Sequence, residues 1–473
     1  MKKLSQKGKI YMKKSVIKLI AAFVAAITVL SLASCAGKKS AENSDTAEIV
    51  VWTNYSHSKD TMTKLIDEYN NSEGKEKGIK IVYEVKGGDT YSQALELAIQ
   101  TGAEPDLFNT SVADSVEKNL IVALEDLPGT EDLLAKFKPY LRDFYNTYNG
   151  KTYRLPTAAT TRGLVYNKEM FKAAGIIDEK GEAKPPVTWD EFCEDAKKLT
   201  NVSKQEYGVV LPMKWGGWFD SDITGTSMAS IGYSQGYNPV TGEYDFAPIK
   251  PIMEAFLKLK EDGSFLPGAE SLDNDAARAR FSDGKVGMKF AYSFDVGVYN
   301  DQFPTEIDWG VAPLPVVDEN NVFYQPMDFD SSIAVGKKAF DTKDHEKLAE
   351  VVKFFASDKL LTELYKEGLS IPYDFSLVKD VKLENAKKGW EEFAKLLEIS
   401  KVTPVVMKND IGSATTIDQN FINKVWVGKM SAEDALAEET KIRNEGKKTY
   451  ADMHPEYKPE KYIIPDWDTK REK

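Results

Sequence analysis

The sequence contains few of the residues on which metal sites and nucleophilic catalysis depend. Its 473 residues include two cysteines, Cys35 and Cys193, and three histidines, His57, His345 and His454. The histidines lie far apart in the chain and HExxH does not occur; GxSxG occurs at residues 232–236, with no histidine near Ser234 in the sequence. The sequence therefore offers no zinc site or Ser-His-Asp triad, and the absence of GxxxxGK[ST] excludes a P-loop. We predict no catalytic residue, no metal and no cofactor.

An excess of positive charge is also missing. The formal net charge is −12, and residues 1–34 contain seven lysines and no acidic residue, so removing them would change it to −19. An acidic protein of this kind is a poor partner for nucleic acid or anionic lipid headgroups, because both repel it. We therefore expect no nucleic-acid partner. Hydrophobic residues make up 42% and charged residues 29% of the chain, which is typical of a globular protein.

The amino terminus has the pattern of a secretion signal. Lys13 and Lys14 precede an apolar run, Val16–Leu32, whose one charged residue is Lys18. The run ends in Leu-Ala-Ser-Cys35, which resembles the bacterial lipobox. We predict a signal peptide over 1–34, lipidation of Cys35, a flexible tether over 35–46, and a location on the extracytoplasmic face of the cell membrane. The alternative is an uncleaved transmembrane anchor, for which the run is short.

The next segment alternates short apolar runs with amphipathic ones. Ile49–Trp52, Ile79–Val85 and Pro105–Phe108 read as strands, and Thr61–Tyr69 and Tyr91–Gln100 as helices. This alternation predicts an α/β fold with a mostly parallel sheet covered on both sides by helices. Ligands of such sheets bind outside the carboxyl ends of the strands. The rule selects the loops that follow Trp52 and Phe108.

The stretch from Leu155 to Leu199 carries the most specific signal. It contains YNKEMFKAAGI, a variable polar loop, PPVTWDEF and a helix that ends KKLT. Asn167 and Thr188 are suited to cap the two helices, and Thr188 with Glu191 has the spacing of a capping box. The order of these elements resembles the central signature of the family 1 extracellular solute-binding proteins, to which maltose-binding protein belongs. The resemblance extends from about Glu48 to Arg443.

The resemblance implies a two-lobed, type II periplasmic-binding-protein-like fold. Each lobe would be a mostly parallel sheet flanked by helices and built from segments that are not contiguous in the chain. The crossovers would form a hinge on which the lobes close. The implied organisation is 47–158 plus 314–375 for lobe 1, 159–313 plus 376–445 for lobe 2, and 446–473 for a polar carboxyl-terminal tail.

The resemblance also implies a function. We expect the extracellular substrate-binding subunit of an ABC importer, which captures a carbohydrate, expected to be an oligosaccharide, by lobe closure and delivers it to the permease. Its partners would be that ligand, the permease subunits and the membrane through the lipid anchor, and we expect a monomer. The alternatives are the same fold with a non-sugar solute, such as a polyamine or glycerol phosphate, and a surface glycan-degrading enzyme.

Sugar binding has a definite chemical requirement. Apolar pyranose faces pack on aromatic rings, and the hydroxyl groups need polar partners with several hydrogen-bonding atoms. Loops at predicted strand ends offer both kinds of residue. The candidate ligand-binding residues are Asn54, Tyr55, Asn109, Trp215, Trp218, Tyr292, Phe294, Asp328 and Phe329.

Core packing is the alternative for every aromatic residue in this set. We favour ligand contact for Trp218 and Phe294 and leave the two alternatives open for Tyr55, Trp215, Tyr292 and Phe329. Trp52, Trp189, Trp309 and Trp426 lie inside predicted strands or helices and are expected in the core. For Arg162, a structural ion pair in the hinge strand is favoured over contact with an acidic sugar. Cys193 is expected to be part of the packing.

Overall fold

The strands form two larger sheets and two short hairpins. The computed structural model describes residues 46–330, 333–455 and 457–471, apart from the side chains of residues 57, 88, 89, 329 and 330. Within these residues the strands are β1 Ala47–Thr53, β2 Ile79–Val85, β3 Leu107–Phe108, β4 Thr147–Tyr148, β5 Lys151–Thr152, β6 Ala158–Asn167, β7 Tyr207–Val209, β8 Tyr237–Asn238, β9 Glu243–Tyr244, β10 Val286–Tyr292, β11 Trp309–Ala312, β12 Gln325–Asp330, β13 Ala334–Val335, β14 Ile371–Pro372 and β15 Ser400–Val402.

The helices cover the sheets and make up most of the regular structure. Their bounds are α1 Lys59–Asn71, α2 Glu73–Glu76, α3 Gly88–Thr101, α4 Val112–Glu117, α5 Glu131–Phe137, α6 Lys168–Ala173, α7 Trp189–Leu199, α8 Met228–Ile231, α9 Lys250–Glu261, α10 Asn274–Ser282, α11 Asp295–Gly297, α12 Lys337–Thr342, α13 His345–Phe355, α14 Asp358–Lys366, α15 Trp390–Lys395, α16 Ile417–Asn420 and α17 Ala432–Met453. Three segments are π-helical: Asp220–Gly225, Val298–Gln302 and Phe421–Val425.

The first sheet has the strand order β13-β3-β1-β2. Strands β1 and β3 are parallel, with Val51 opposite Leu107, and β13 runs antiparallel to β3. The side chains of β1 alternate between buried and partly exposed positions, as the period of two in a strand requires. Because β1 and β3 are parallel, their carboxyl ends lie at the same edge and bring Asn54 and Asn109 to one side of the sheet.

The second sheet is organised around β6. Its order is β15-β12-β6-β10-β7, and β11 and β14 also pair with β6. All four partners of β6 are antiparallel to it, whereas β10–β7 and β12–β15 are parallel. The expectation of a mostly parallel sheet is therefore wrong here. Strand–helix alternation predicts direction only between successive strands, and each partner of β6 comes from a later part of the chain.

The two predicted caps are present in the segment that carries the family signature. The Asn167 side chain accepts hydrogen bonds from the amides of Glu169 and Met170 at the start of α6. At the start of α7, Thr188 and Glu191 form the capping box, in which each side chain accepts from the other residue's amide. A free cysteine, Cys193, is buried in this helix, and burial raises the pKa of its thiol to about 11.

The carboxyl-terminal part of the chain differs from the appended tail that the sequence suggested. Helix α17 continues to Met453, and beyond it Tyr462 and Thr469 are both buried. These two residues are spaced too widely for a hydrophobic pattern to be visible in a polar segment, so their packing could not be predicted from the sequence. Among the described residues, no helix is long and apolar enough to cross a membrane. The signal peptide, the tether and Cys35 lie outside the described residues.

Candidate functional site

A stacked pair of aromatic rings stands at the carboxyl end of β10. The rings of Tyr292 and Phe294 are nearly parallel, with an angle of 7° and centroids 5.1 Å apart. Phe294 is 43% exposed, which is unusual for a large apolar side chain in a folded protein. The turn that carries it is fixed by Asp295, whose Oδ2 accepts a hydrogen bond from the Tyr292 amide at 3.0 Å. The result is a flat, exposed apolar surface held by a rigid backbone.

An ion pair joins the two hinge strands beside this platform. Arg162 of β6 donates from Nη2 to both oxygens of Asp328 of β12, at 3.0 and 2.9 Å. The Arg162 guanidinium also lies 5.1 Å from the centre of the Tyr292 ring. Burial, the largest effect, acts to lower the pKa of Arg162, but the combined effects of Asp328, Tyr292 and Asp222 outweigh it, and the pKa is raised. Arg162 is therefore in the structural ion pair that the sequence favoured.

A chain of hydrogen bonds leads from the platform to a buried carboxyl group. Tyr292 Oη donates to Ser221 Oγ at 2.8 Å, and Ser221 Oγ donates to Asp222 Oδ1 at 2.7 Å. Asp222 belongs to the first π-helical segment and is 4% exposed. The π-helical segment therefore places this side chain in the interior. The neighbouring Lys289 is buried as well, and burial lowers its pKa.

Asp222 is expected to make stability depend on pH. Burial raises its pKa from 3.8 to about 6, against the opposing effects of Lys289, Ser221 and Arg162, and with Asp295 adding to the rise. The folded state therefore binds this proton more tightly than the unfolded state. The contribution of the group to the free energy of unfolding falls by about 3 kcal/mol as pH rises from about 3 to about 7.

Asp222→Asn should remove this dependence. We expect the difference in unfolding free energy between unmodified chain and variant, measured by urea denaturation at pH 4, 5 and 6, to change by about 2 kcal/mol over that range. Asp380→Asn is the matched control, because Asp380 is exposed and should leave the profile unchanged. Parallel pH profiles for Asp222→Asn and the unmodified chain would contradict this assignment.

The first sheet carries a cavity at the edge where β1 and β3 end. Its volume is about 810 Å³, and Asn54, Tyr55 and Asn109 line it. The Asn109 side chain donates from Nδ2 to Tyr55 Oη at 3.0 Å, and its main-chain oxygen accepts from Tyr91 Oη at 2.9 Å. Asn109 is 7% exposed, and its Oδ1 is buried with no hydrogen-bond partner among the described residues. Such an acceptor is costly unless a ligand or water pairs with it.

Two further residues of this cavity were missed by the sequence analysis. Tyr145 and Arg154 line it, and Arg154 donates from Nη1 to the main-chain oxygen of Thr110 at 2.6 Å. Burial raises the pKa of Tyr145, and the charges of Asp328 and Arg162 also act on it. Tyr145 therefore lies between the cavity and the hinge ion pair. Both residues flank the β4–β5 hairpin and do not follow a predicted strand. The rule that ligands bind at strand ends therefore did not select them.

The structure separates the two tryptophans of the MKWGGWFDS loop. Trp218 is 1% exposed and packs edge-on against Phe219 and Phe421, with centroids 5.3 and 5.6 Å away. The expectation of a ligand contact at Trp218 is therefore corrected: it is a core residue. Trp215 is half-buried over Gly217, where a Cβ would lie 2.8 Å from the indole ring. Gly217 thus lets the ring of Trp215 lie close against the backbone of the loop.

The two candidate ligand-binding residues of β12 are Asp328 and Phe329. Asp328 is 45% exposed at its side chain and is the partner of Arg162. Phe329 pairs with Ala159 through the backbone of β12, and its side chain lies outside the described part of the structure. Within residues 46–330, 333–455 and 457–471, no group of three or more His, Cys, Asp or Glu residues is placed to hold a metal ion.

The fold and the cavity define a class of protein. A two-lobed α/β chain with a cavity at the carboxyl ends of its strands has the architecture in which small ligands bind outside the strand ends. The sequence matches the family described as bacterial extracellular solute-binding protein over residues 55–360, more than half of the chain. The chain belongs to this family, as the signature between Leu155 and Leu199 indicated. The sequence relatives and solved structures compared below are described as binding proteins.

Two sequence relatives show the range within the family. The chain is 25% identical over 321 residues to the maltotriose-binding protein of Pyrococcus abyssi. The aligned region covers 65% of this chain and 62% of that protein. It is 23% identical over 341 residues to the sn-glycerol-3-phosphate-binding periplasmic protein of Brucella melitensis, covering 68% of this chain and 73% of that protein.

Solved structures confirm the fold. A chitin oligosaccharide binding protein superimposes with a TM-score of 0.64 at 17% identity, covering 85% of this chain and 100% of that chain. The cyclic α-maltosyl-1,6-maltose binding protein of Arthrobacter globiformis also gives a TM-score of 0.64, at 19% identity and the same coverage. At this level of identity the comparison shows the two-lobed fold alone.

Proposed function

We propose that this protein is the substrate-binding subunit of an ABC importer and that its ligand is a carbohydrate, specifically an oligosaccharide. The observation that carries the proposal is the exposed Tyr292–Phe294 platform beside the hinge ion pair. Phe294 stacks on Tyr292, Tyr292 lies against Arg162, and Arg162 binds Asp328. Tyr145, which lines the cavity, is near enough for the charge of Asp328 to act on it.

This arrangement supplies what a saccharide requires. The exposed ring of Phe294 suits the apolar face of a pyranose. Asp328 retains exposed carboxylate surface that can accept hydroxyl donors, and the unpartnered Oδ1 of Asn109 can accept another. A cavity of about 810 Å³ lies at the upper part of the range for small-molecule sites. That size favours an oligosaccharide over a single sugar.

Capture would follow from closure of the lobes and involves no covalent step. A ligand that contacts both halves binds the closed state better than the open state and shifts the population toward it. The hinge would be the region where β6 and β12 pair, and we retain the predicted limits of the lobes as part of this proposal. Delivery to a permease, and anchoring through lipidated Cys35, complete the proposed role. Mass spectrometry of the mature amino terminus tests the anchor, since an unmodified Cys35 would contradict it.

A thermal-shift panel tests the ligand class. The panel would contain maltotriose, chitotriose, xylotriose, their monosaccharides and about forty further sugars. A ligand present at a hundredfold excess over its Kd stabilises the protein by about 2.7 kcal/mol, so a true ligand should raise the melting temperature by several degrees. The expected result is a response to at least one oligosaccharide. A complete panel without any response would contradict the proposal.

A phosphorylated polyol is the second candidate, since the cavity is lined by the cations Arg154 and Lys118. Glycerol 3-phosphate and spermidine therefore belong in the same panel, and a response to one of them alone would favour a non-sugar solute. A separate assay tests whether the protein is a glycan-degrading enzyme. Reducing ends released from polysaccharides on incubation with the protein would show turnover, and the binding role would then be wrong.

A further inference from the structure

The last residues that the structure describes are packed onto the half of the molecule that contains the second sheet. We define residues 457–471 as the C-terminal strap. Trp467 Nε1 and Thr469 Oγ1 both donate to the main-chain oxygen of Gly232, at 3.0 and 2.8 Å. Tyr237 Oη donates to the main-chain oxygen of Tyr462 at 2.7 Å. Side chains of the strap are therefore anchored on this half at several places.

Backbone pairing fixes the end of the strap. The amide of Tyr324 donates to the oxygen of Thr469 at 2.7 Å, and the amide of Arg471 donates to the oxygen of Val322 at 3.1 Å. Phe323 and Lys470 form an antiparallel bridge. These three contacts lie directly before β12, a strand of the hinge. The strap is thus attached close to the point where the chain passes between the two halves.

The same strap contacts the other half through the β4–β5 hairpin. The Tyr462 ring stacks on Phe144, with centroids 4.4 Å apart and an angle of 16°. Lys461 Nζ donates to Asn149 Oδ1 at 2.8 Å and lies 5.3 Å from the centre of the Tyr148 ring. These contacts join the hairpin to the strap by one ring stack and one hydrogen bond.

The hairpin itself is fastened to the first half. Tyr148 Oη donates to Glu117 Oε1 of α4 at 2.6 Å, and the Thr152 amide donates to Glu125 Oε1 at 2.9 Å. A contact with the hairpin is therefore a contact with the half that carries the cavity. One segment of chain, residues 461–462, consequently contacts both halves.

The contact lies at the rim of the cavity. Phe144 adjoins Tyr145, which lines it, and Asp114 lines it as well. A second bridge runs alongside, from Lys408 Nζ to Asp114 Oδ1 at 2.6 Å, and the charges of Lys408 and Asp114 both act on Tyr462. The ion pair and the ring stack thus form one patch at the cavity's edge.

The backbone at Phe144 indicates that this contact is held under strain. Its φ is +68°, in the left-handed region that side chains other than those of glycine and asparagine seldom adopt. A residue is kept in such a conformation only where the surrounding structure over-determines it. Here the stack with Tyr462 and the hairpin's attachment to α4 supply that constraint.

We propose that the C-terminal strap limits how far the two halves open, and that it thereby raises the affinity of the cleft for its ligand. A smaller range of opening leaves less conformational freedom to be lost on closure, so a larger part of the contact energy remains as binding free energy. The restraint is independent of the identity of the solute. The effect on affinity rests on the proposed function.

Distances between spin labels measure the restraint directly. Leu97→Cys in α3 and Val202→Cys after α7 are both highly exposed, at 61% and 65%, and they report on opposite halves. The labels are placed in the full chain with Cys35→Ser, which removes the other native cysteine. Cys193 needs no substitution, because it is buried and its raised pKa makes it unreactive. We expect one narrow distance distribution, and Phe144→Gly should add a population at longer distances. Glycine adopts the positive φ without strain, so this variant removes the ring while preserving the fold.

A matched pair of lysines provides the control. Lys461→Ala should broaden the distribution, whereas Lys458→Ala should not, since Lys458 is an exposed lysine of the same segment with no side-chain contact among the described residues. Unchanged distances in both Phe144→Gly and Lys461→Ala would overturn the proposal. Affinity is then measured by calorimetry for maltotriose, chitotriose and xylotriose.

The two proposals can fail separately. We expect Phe144→Gly to weaken binding of a responding trisaccharide by about fivefold or more. Broader distances with unchanged affinity would overturn the link between strap and affinity. If no sugar of the panel binds the unmodified chain, the carbohydrate assignment fails, and the label distances alone still decide the restraint.

Discussion

Phe294→Ala is expected to remove most of the response to a bound oligosaccharide while leaving the free protein folded. The ring is 43% exposed and stacks on Tyr292, so its loss should cost the free protein no more than about 1.5 kcal/mol. A central aromatic contact contributes about 2 kcal/mol to binding. A ligand that stabilises the unmodified chain by about 2.7 kcal/mol should then stabilise the variant by less than about 1 kcal/mol.

Thermal shift and calorimetry with the responding sugar check this prediction. Phe294→Tyr is the conservative control, because it keeps a flat ring and should keep most of the affinity. Leu97→Ala controls for the loss of an exposed apolar side chain elsewhere on the surface. If Phe294→Ala binds as tightly as the unmodified chain, the platform is not a sugar contact and the site must lie elsewhere in the cavity.

Trp218→Ala is expected to have the opposite profile. Its indole is 1% exposed and lies among Phe219 and Phe421, so truncation leaves a cavity in the core. Substitutions of this kind cost about 3–5 kcal/mol, a large part of the 5–15 kcal/mol by which folded domains are stable. Denaturant titration should therefore show a large loss of unfolding free energy in the absence of any ligand.

The half-buried Trp215 is the matched control for this second variant. It lies three residues away in the same loop and is only partly buried, so Trp215→Ala should cost clearly less stability. Trp218→Phe keeps part of the volume and should fall between the two. A Trp218→Ala protein that keeps its stability but loses sugar binding would restore the assignment that the sequence first favoured.

Much of the fold followed from local rules. The caps at Asn167 and Thr188 were visible because capping depends on residue types at fixed spacing. Strand β2 was predicted with its observed bounds, Ile79–Val85. The antiparallel partners of β6 were not, because strand direction in a sheet depends on contacts between distant parts of the chain. The packing of Tyr462 and Thr469 was missed for the same reason.

The candidate site was predictable only where it lies at strand ends. Asn54, Tyr55 and Asn109 were found because parallel strands present their carboxyl ends together. Tyr145 reaches the cavity from irregular chain, and nothing in its neighbourhood marks it. Trp218 was misjudged because a loop position in the sequence says little about burial: its indole packs against Phe219 and Phe421 in the core.

The position of β13 has a consequence for how the molecule is made. Ala334 and Val335 pair with β3 at the edge of the first sheet, although β1, β2 and β3 all come from the first part of the chain. A ribosome therefore synthesises three strands of this sheet long before it adds the fourth, and the nascent chain must carry an incomplete edge while the 225 residues between β3 and β13 are made. The backbone pairs at Thr469 and Arg471 form later still.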